Sequence, residues 1–296
     1  MDRRDWFAVA FVIVIWGALP SVAKFALAEL DSYQLVFYNG LITFLALFVL
    51  LAFKRKLALL KRYAFKDHVR LAGFAFIGQF LYFLVRYASF EHAPAGQAQI
   101  LNYLWPAFLV LLSVLFLHEP FHARTFFALA LSFLGALLVV TRGNLSFSHQ
   151  YFLGYGLAIL GAVFYGTFSV LEKKQRYEKY SSTLYYFVYA TLFMIPTLPL
   201  LSSYIFPKTT AAWSALLFLG VLANALGYVF WFTAIGRGHT PKLANLIYLV
   251  PFLSLLFTFF INGEPILPSS VLGLFLIVGG ILLQGRMSVP KEHQHG

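Results

Sequence analysis

The chain has 296 residues, of which 60% are hydrophobic and 11% charged, with a mean hydropathy of +0.78; soluble domains carry about 25% charged residues, so a water-soluble fold is excluded. The net charge of +11 does not point to nucleic acid, because the cations are scattered between apolar stretches and form no basic soluble domain. With no cysteine in the sequence, disulfides, thiol catalysis, Cys-based zinc sites and iron–sulfur clusters are excluded.

Apolar runs long enough to span a bilayer are predicted at 6–28, 33–53, 69–90, 95–117, 123–140, 152–171, 182–201, 211–234, 239–261 and 269–285. The first follows Met1-Asp2-Arg3-Arg4-Asp5 and lacks a small-residue cleavage signature, which predicts a retained helix rather than a signal peptide. The connections are short apart from the basic segment Lys54–Lys66 and the charged run Glu172–Lys179. Placing the N-terminus in the cytoplasm puts 18 of the 22 Lys and Arg on that side and only Arg142 and Lys208 opposite, with Lys24 and Arg86 inside spans. Cytoplasmic loops retain positive charge during insertion, so both termini are expected in the cytoplasm of a cell carrying this chain in its inner membrane.

Residues 102–135 laid over 247–280 reveal an internal repeat. Tyr103, Leu104 and Pro106 meet Tyr248, Leu249 and Pro251; Glu119-Pro120 meets Glu264-Pro265; Gly135 meets Gly280. A fainter match pairs Gly17 with Gly166 and Lys24 with Lys173. Residues 1–145 and 146–296 therefore read as two repeats of five helices, and an odd repeat inserts its second copy upside down. The expected fold is all-α: ten transmembrane helices in two inverted five-helix repeats around a central cavity, an architecture common among secondary transporters.

Two Pro-interrupted helices (Asn102 to Pro106 and Ile247 to Pro251), each followed by Glu-Pro and a Gly-containing helix, resemble the drug/metabolite transporter superfamily and its ten-helix EamA-type members over nearly the whole chain. Asn102 to Pro106, together with Asn224-Ala225-Leu226-Gly227-Tyr228, is most similar to the aromatic amino-acid exporter branch. The resemblance implies a basket around a cavity, export of aromatic or other amphipathic metabolites, and Tyr82, Tyr103, Trp105 and Tyr165 as wall residues. Where that branch has an indole in the sixth helix, this chain has Tyr165.

On the fourth predicted helix, Gln99, Asn102, Tyr103 and Pro106 share one side. Lipid gives amides no partner, so Gln99 and Asn102 are expected to point into the bundle, bonding either another helix or a solute; Gln79 and Asn224 raise the same choice. Most rings must face lipid, but Trp16, Tyr82, Tyr103, Trp105, Tyr165, Tyr228 and Tyr248 lie mid-span beside polar or helix-breaking residues and could stack a planar solute. Lys24 and Arg86 lie toward the outer ends of their spans. Snorkelling, or pairing with Glu29 or Glu91, competes there with capture of a substrate carboxylate, for which the guanidinium of Arg86 is the better shaped.

No Asp or Glu lies centrally in a predicted span, which favours gradient-driven transport over a carboxylate proton relay, although His118, His122 and His239 near helix ends could titrate. Glu119 and Glu264 are expected to cap the helix that follows each. Neither a Walker pattern nor G-x-G-x-x-G occurs, and no cofactor or metal is implied. The small-molecule substrate and the lipid bilayer are the partners expected. The functions left in competition are export of aromatic or neutral amino acids, export of other metabolites or cationic drugs, and a lipid flippase or channel; an enzyme would need a cluster of nucleophile, base or carboxylates that is absent.

Overall fold

The computed structural model describes residues 3–118, 122–144, 149–173, 175, 177–235 and 246–285. Glu119, Pro120 and His239 therefore lie outside the described residues, as does the rest of 239–245 at the start of the ninth predicted span. All regular structure among the described residues is helical. In chain order the helices are α1 (Arg3–Leu27), α2 (Ser32–Phe53), α3 (Phe65–His92) and α4 (Ala95–Leu117), α5 (Ala123–Thr141), α6 (Phe152–Lys173), α7 (Lys179–Leu201), α8 (Thr210–Trp231) and α9 (Ile247–Asn262), and α10 (Pro268–Gly285). Seven of them are long and apolar enough to cross a membrane; the apolar stretches Thr125–Thr141, Ile247–Asn262 and Pro268–Leu283 are shorter. The third begins four residues earlier than the hydropathy predicts, because the polar turn Phe65–His68 is already helical.

Local sequence sets the helix ends. Asp31 Oδ1 accepts from the Gln34 backbone amide at 2.8 Å while Gln34 Oε1 accepts from the Asp31 backbone amide, a capping box that satisfies donors the first turn leaves free. Glu178 caps α7 through the Ser181 amide at 2.8 Å, and Thr209 caps α8 through Ala212 at 3.2 Å. The C-terminus of α4 ends on His118, and that of α9 on Gly263, both in the left-handed region at φ 55° and 69°.

Three helices are irregular inside. Residues Phe76–Leu81 of α3 and Phe218–Leu226 of α8 are wound as wide π turns, which leave carbonyls without the usual intrahelical partner. Helix α4 is interrupted at Tyr103 and Leu104, after which Trp105-Pro106 starts a new helical piece; α9 opens with a tight turn, Ile247–Leu249, ahead of Val250-Pro251.

Packing pairs α5 with α10, α2 with α7, and α4 with α9. Other extensive contacts come in matched sets: α1 packs on α8 and α9, α6 on α3 and α4, α2 on α8, and α7 on α3. Backbones approach closely where side chains are small, as is usual between membrane helices. A Cβ on Gly135 would lie 2.5 Å from the Gly273 carbonyl oxygen, and one on Gly273 would lie 2.5 Å from that of Gly135. Gly161 and Gly166 meet α3 and α4, whereas Gly156 faces open space.

The bundle has two ends. One carries the α2–α3 connection and the α6–α7 connection, and is called the basic end below. The other is tied together by Glu29, which accepts from the amides of Lys208 and Thr209, by the Asp31–Ser202 contact, and by Glu264.

Candidate functional site: a ring-lined cavity around a buried arginine

Helices α1, α3, α4, α6, α8 and α9 surround a cavity of about 80 Å³ whose walls include Trp16, Tyr82, Arg86, Gln99, Asn102, Tyr103, Trp105, Tyr165, Asn224 and Tyr228. It adjoins a wider chamber of about 290 Å³ that shares Trp16, Trp105, Tyr165, Tyr228 and Ile247 and adds Gln79 and Tyr248. All twelve residues singled out in the sequence thus line one or both of these two adjoining spaces. The chamber reaches Glu172 and Lys179, so it extends toward the basic end.

Arg86 is 8% exposed and sits at the inner cavity. Its Nη2 donates to Gln99 Oε1 at 3.0 Å, its guanidinium carbon lies 5.6 Å from the Tyr82 ring centre and 5.9 Å from that of Phe90, and its Nε has no partner. Among the described residues no carboxylate pairs with it. Snorkelling and pairing with Glu91, the competing expectations for Arg86, are both overturned: the side chain turns inward from α3 between tyrosines. Among the described residues Lys24 makes no ion pair either. It reaches the Ala93 carbonyl at 3.5 Å, while Glu29 is taken by Lys208 and Thr209. An arginine enclosed in low dielectric with an unused donor is costly unless an anion or water completes its shell.

The rings form a connected wall. Tyr82 and Tyr165 lie 4.8 Å apart at 36°, Trp105 meets Tyr165 edge-on at 5.0 Å, and Trp16 meets Tyr228 at 5.8 Å and Trp231 at 6.0 Å. Trp16 is fixed by its Nε1 bond to the Ala223 carbonyl at 2.8 Å, one of the acceptors in the wide turn of α8.

The amides divide into two sorts. Asn102 accepts from Tyr82 OH at 3.1 Å and donates to the Ala158 carbonyl at 3.3 Å, and Asn224 donates to Asn39 at 2.9 Å; these tie helices together, although both line the cavity. Gln79 is buried with its Oε1 unpartnered, and Gln99 spends its oxygen on Arg86. Among the described residues, Arg86 Nε and Gln79 Oε1 are thus fully buried side-chain atoms of these walls without a hydrogen-bond partner.

Sequence reasoning did not pick out Leu19, Phe83, Phe168, Thr183, Tyr186 and Trp231, which complete the walls. Apolar side chains in an apolar helix carry no signal of which face they occupy. Glu172 and Lys179 stood out only as a charged run; they form an ion pair of 3.0 Å at the chamber's end. Glu264 does not cap the helix after it. Its two carboxylate oxygens accept from Ala95 at 2.7 Å and Gly96 at 2.9 Å, so it caps the start of α4 across the bundle.

Among known proteins, a crystal structure superposes with a TM-score of 0.67 at 20% identity, covering 97% of this chain and 98% of that one, a likeness of fold alone. An "Uncharacterized transporter" of Archaeoglobus fulgidus is 27% identical over 99% of this chain and 100% of its own length. A "Probable amino-acid metabolite efflux pump" of Escherichia coli is 24% identical over 96% of this chain and 95% of its own, and a "Probable terminal-alkyne amino-acid exporter" of Streptantibioticus cattleyicolor is 27% identical over 69% and 68%. The profile of the EamA-like transporter family matches residues 6–141 and 152–285. A multi-span helical membrane protein of this kind is a transporter and not an enzyme: the chain belongs to the EamA-like transporter family.

Proposed function

We propose that this protein is a secondary carrier that exports small amphipathic metabolites with a carboxylate and an aromatic or apolar body, aromatic and neutral amino acids foremost. The observation that carries this reading is the buried Arg86, unpaired by any described carboxylate and surrounded by rings. The guanidinium supplies the anion subsite, with its charge-assisted bonds to a carboxylate, and Tyr82, Trp105 and Tyr165 supply the stacking wall. The same positive charge disfavours cationic drugs. Two relatives named as exporters of amino acids or their metabolites support the same direction of transport.

The carrier works by alternating access between two inverted five-helix repeats, residues 1–145 and 146–296, with ten crossings and both termini in the cytoplasm of the inner membrane. Three features support this. The family profile matches in two segments. The wide turns of α3 and α8, and the breaks ahead of Pro106 and Pro251, recur five helices apart. The packing partners of α1 and α2 repeat for α6 and α7. With the basic end cytoplasmic, the chamber opens to the side from which an exporter loads. Among the described residues no carboxylate lines the inner cavity, which accords with a carrier driven by the solute gradient.

Uptake of radiolabelled Trp, Phe, Thr and a cationic dye into proteoliposomes, with and without a pH gradient, tests the reading. Saturable uptake of Trp and Phe without a gradient is expected. Transport of the dye in preference to all three amino acids overturns it, and lipid scrambling without solute movement would replace it with a flippase.

A further inference from the structure

We infer that the α2–α3 connection is a docking surface for the anionic phospholipid headgroups of the leaflet it faces. This segment runs Lys54-Arg55-Lys56-Leu57-Ala58-Leu59-Leu60-Lys61-Arg62-Tyr63-Ala64-Phe65-Lys66. All six of its cationic residues are exposed, and among the described residues none is ion-paired. The nearest acid in sequence, Asp67, is already engaged: its Oδ2 accepts from the Ala64 amide at 3.0 Å and its Oδ1 from Tyr177 OH at 3.1 Å.

Apolar anchors flank the charges. Phe53 at the end of α2 is 84% exposed and Phe65 at the start of α3 is 85% exposed, and the single turn between them, Leu57–Arg62, buries no side chain. Large rings beside cations at the end of a membrane helix suit the headgroup and upper acyl region, where both kinds of group find partners. Any soluble partner would have to compete with that environment for the two phenylalanines.

The surface is also held in shape, which separates it from a merely solvated loop. Tyr185 OH donates to the Leu60 carbonyl at 2.9 Å, Tyr63 OH and Ser181 Oγ are 2.7 Å apart, and the Nζ atoms of Lys54 and Lys56 stand 5.3 and 5.1 Å from the Tyr180 ring centre. These contacts fasten the basic turn to the first two turns of α7, the helix whose Lys179 borders the chamber. Cations spaced on a fixed turn gather several phosphates at once, whereas a lone surface lysine is screened by salt.

The test uses the full chain in nanodiscs of phosphatidylcholine mixed with phosphatidylglycerol, counting the lipids retained after mild extraction by native mass spectrometry. Wild type is expected to retain phosphatidylglycerol in excess of its share, and high salt to reduce the excess. Replacing Lys54, Arg55, Lys56, Lys61 and Arg62 with Gln is expected to abolish it, each lost charge lowering the preference about fivefold. Lys208→Gln, at the other end of the bundle, is expected to leave it intact. Equal retention of the two lipids by wild type overturns the inference without any variant, as does undiminished excess in the folded quintuple variant. Competition by soluble glycerol phosphate as strong as by the lipid would also overturn it, since the surface would then read anions without their acyl chains.

Discussion

Arg86 and Asn102 both line the cavity, yet their hydrogen bonds give them different work. Asn102 is satisfied by Tyr82 and Ala158, so it braces α3 and α6 around the break in α4. Arg86 keeps an unpartnered buried Nε and has no carboxylate against it among the described residues, so its charge is left uncompensated, as the proposed anion subsite requires. Arg86→Gln preserves Gln99 as a possible partner but removes the charge, and hydrogen bonds to charged groups contribute about 1.5–3 kcal/mol. Uptake of Phe into proteoliposomes is therefore expected to fall about tenfold to a hundredfold, while uptake of phenethylamine, which lacks the carboxylate, is unchanged or improved. An equal loss for both compounds would assign Arg86 to structure alone. The candidate residues were legible in the sequence because a polar or ring side chain among helix-breaking residues is conspicuous in an apolar span. Which of them retain free atoms was not, since that depends on partners such as Ala158 and Ala223, which offer only backbone.

Between helices, hydropathy marks most of the spans but not their interiors. The wide turns at Phe76–Leu81 and Phe218–Leu226 have ordinary apolar sequences, and nothing in periodicity separates five residues per bond from four. The Pro-led breaks could be read because proline removes a donor. Glu264 could be recognised as a cap but not assigned its helix, because the Ala95 and Gly96 amides come to it only through tertiary packing. The crossing of α5 and α10 leaves no room for a side chain at Gly135. Gly135→Val is expected to lower stability by about 1–3 kcal/mol, read as a fall in thermal unfolding midpoint in detergent; an unchanged midpoint would mean the helices can separate there without penalty. At the tied end, the bonds from Thr209 and from the Lys208 amide hold the Glu29 carboxyl below its ordinary range. A lowered folded value means these bonds stabilise the protein above the ordinary carboxylate range, and that contribution is lost as pH falls through the lowered value. Glu29→Gln is expected to flatten the acid side of a stability-against-pH curve; an unchanged acid slope would place the responsible group elsewhere.

Among the described residues, one end of the bundle is tied across helices by Glu29, Asp31 and Glu264, while the chamber extends toward Glu172 and Lys179 at the other. The natural absence of cysteine makes this asymmetry directly measurable. Thr183→Cys, in the chamber wall, is expected to react with a membrane-impermeant maleimide supplied from the basic end, and Ala95→Cys, fully buried beneath the Glu264 cap, to resist it from either end. Equal labelling of both from both ends would describe a pore rather than a carrier. The charge bias of the sequence supported an orientation, but nothing in it indicated toward which end the chamber would extend, because that depends on how the helices pack.

The tryptophans carry one more consequence. Of the five in the chain, Trp16, Trp105 and Trp231 border the cavity or its chamber, so three of the five indoles report on the proposed binding space. Binding of a ring that absorbs near their emission should quench that light in a saturable way, and a non-absorbing solute should shift its wavelength by displacing water. The protein thus contains its own optical titration, readable in detergent before any vesicle is made, and Arg86→Gln should move its midpoint without altering the unquenched spectrum.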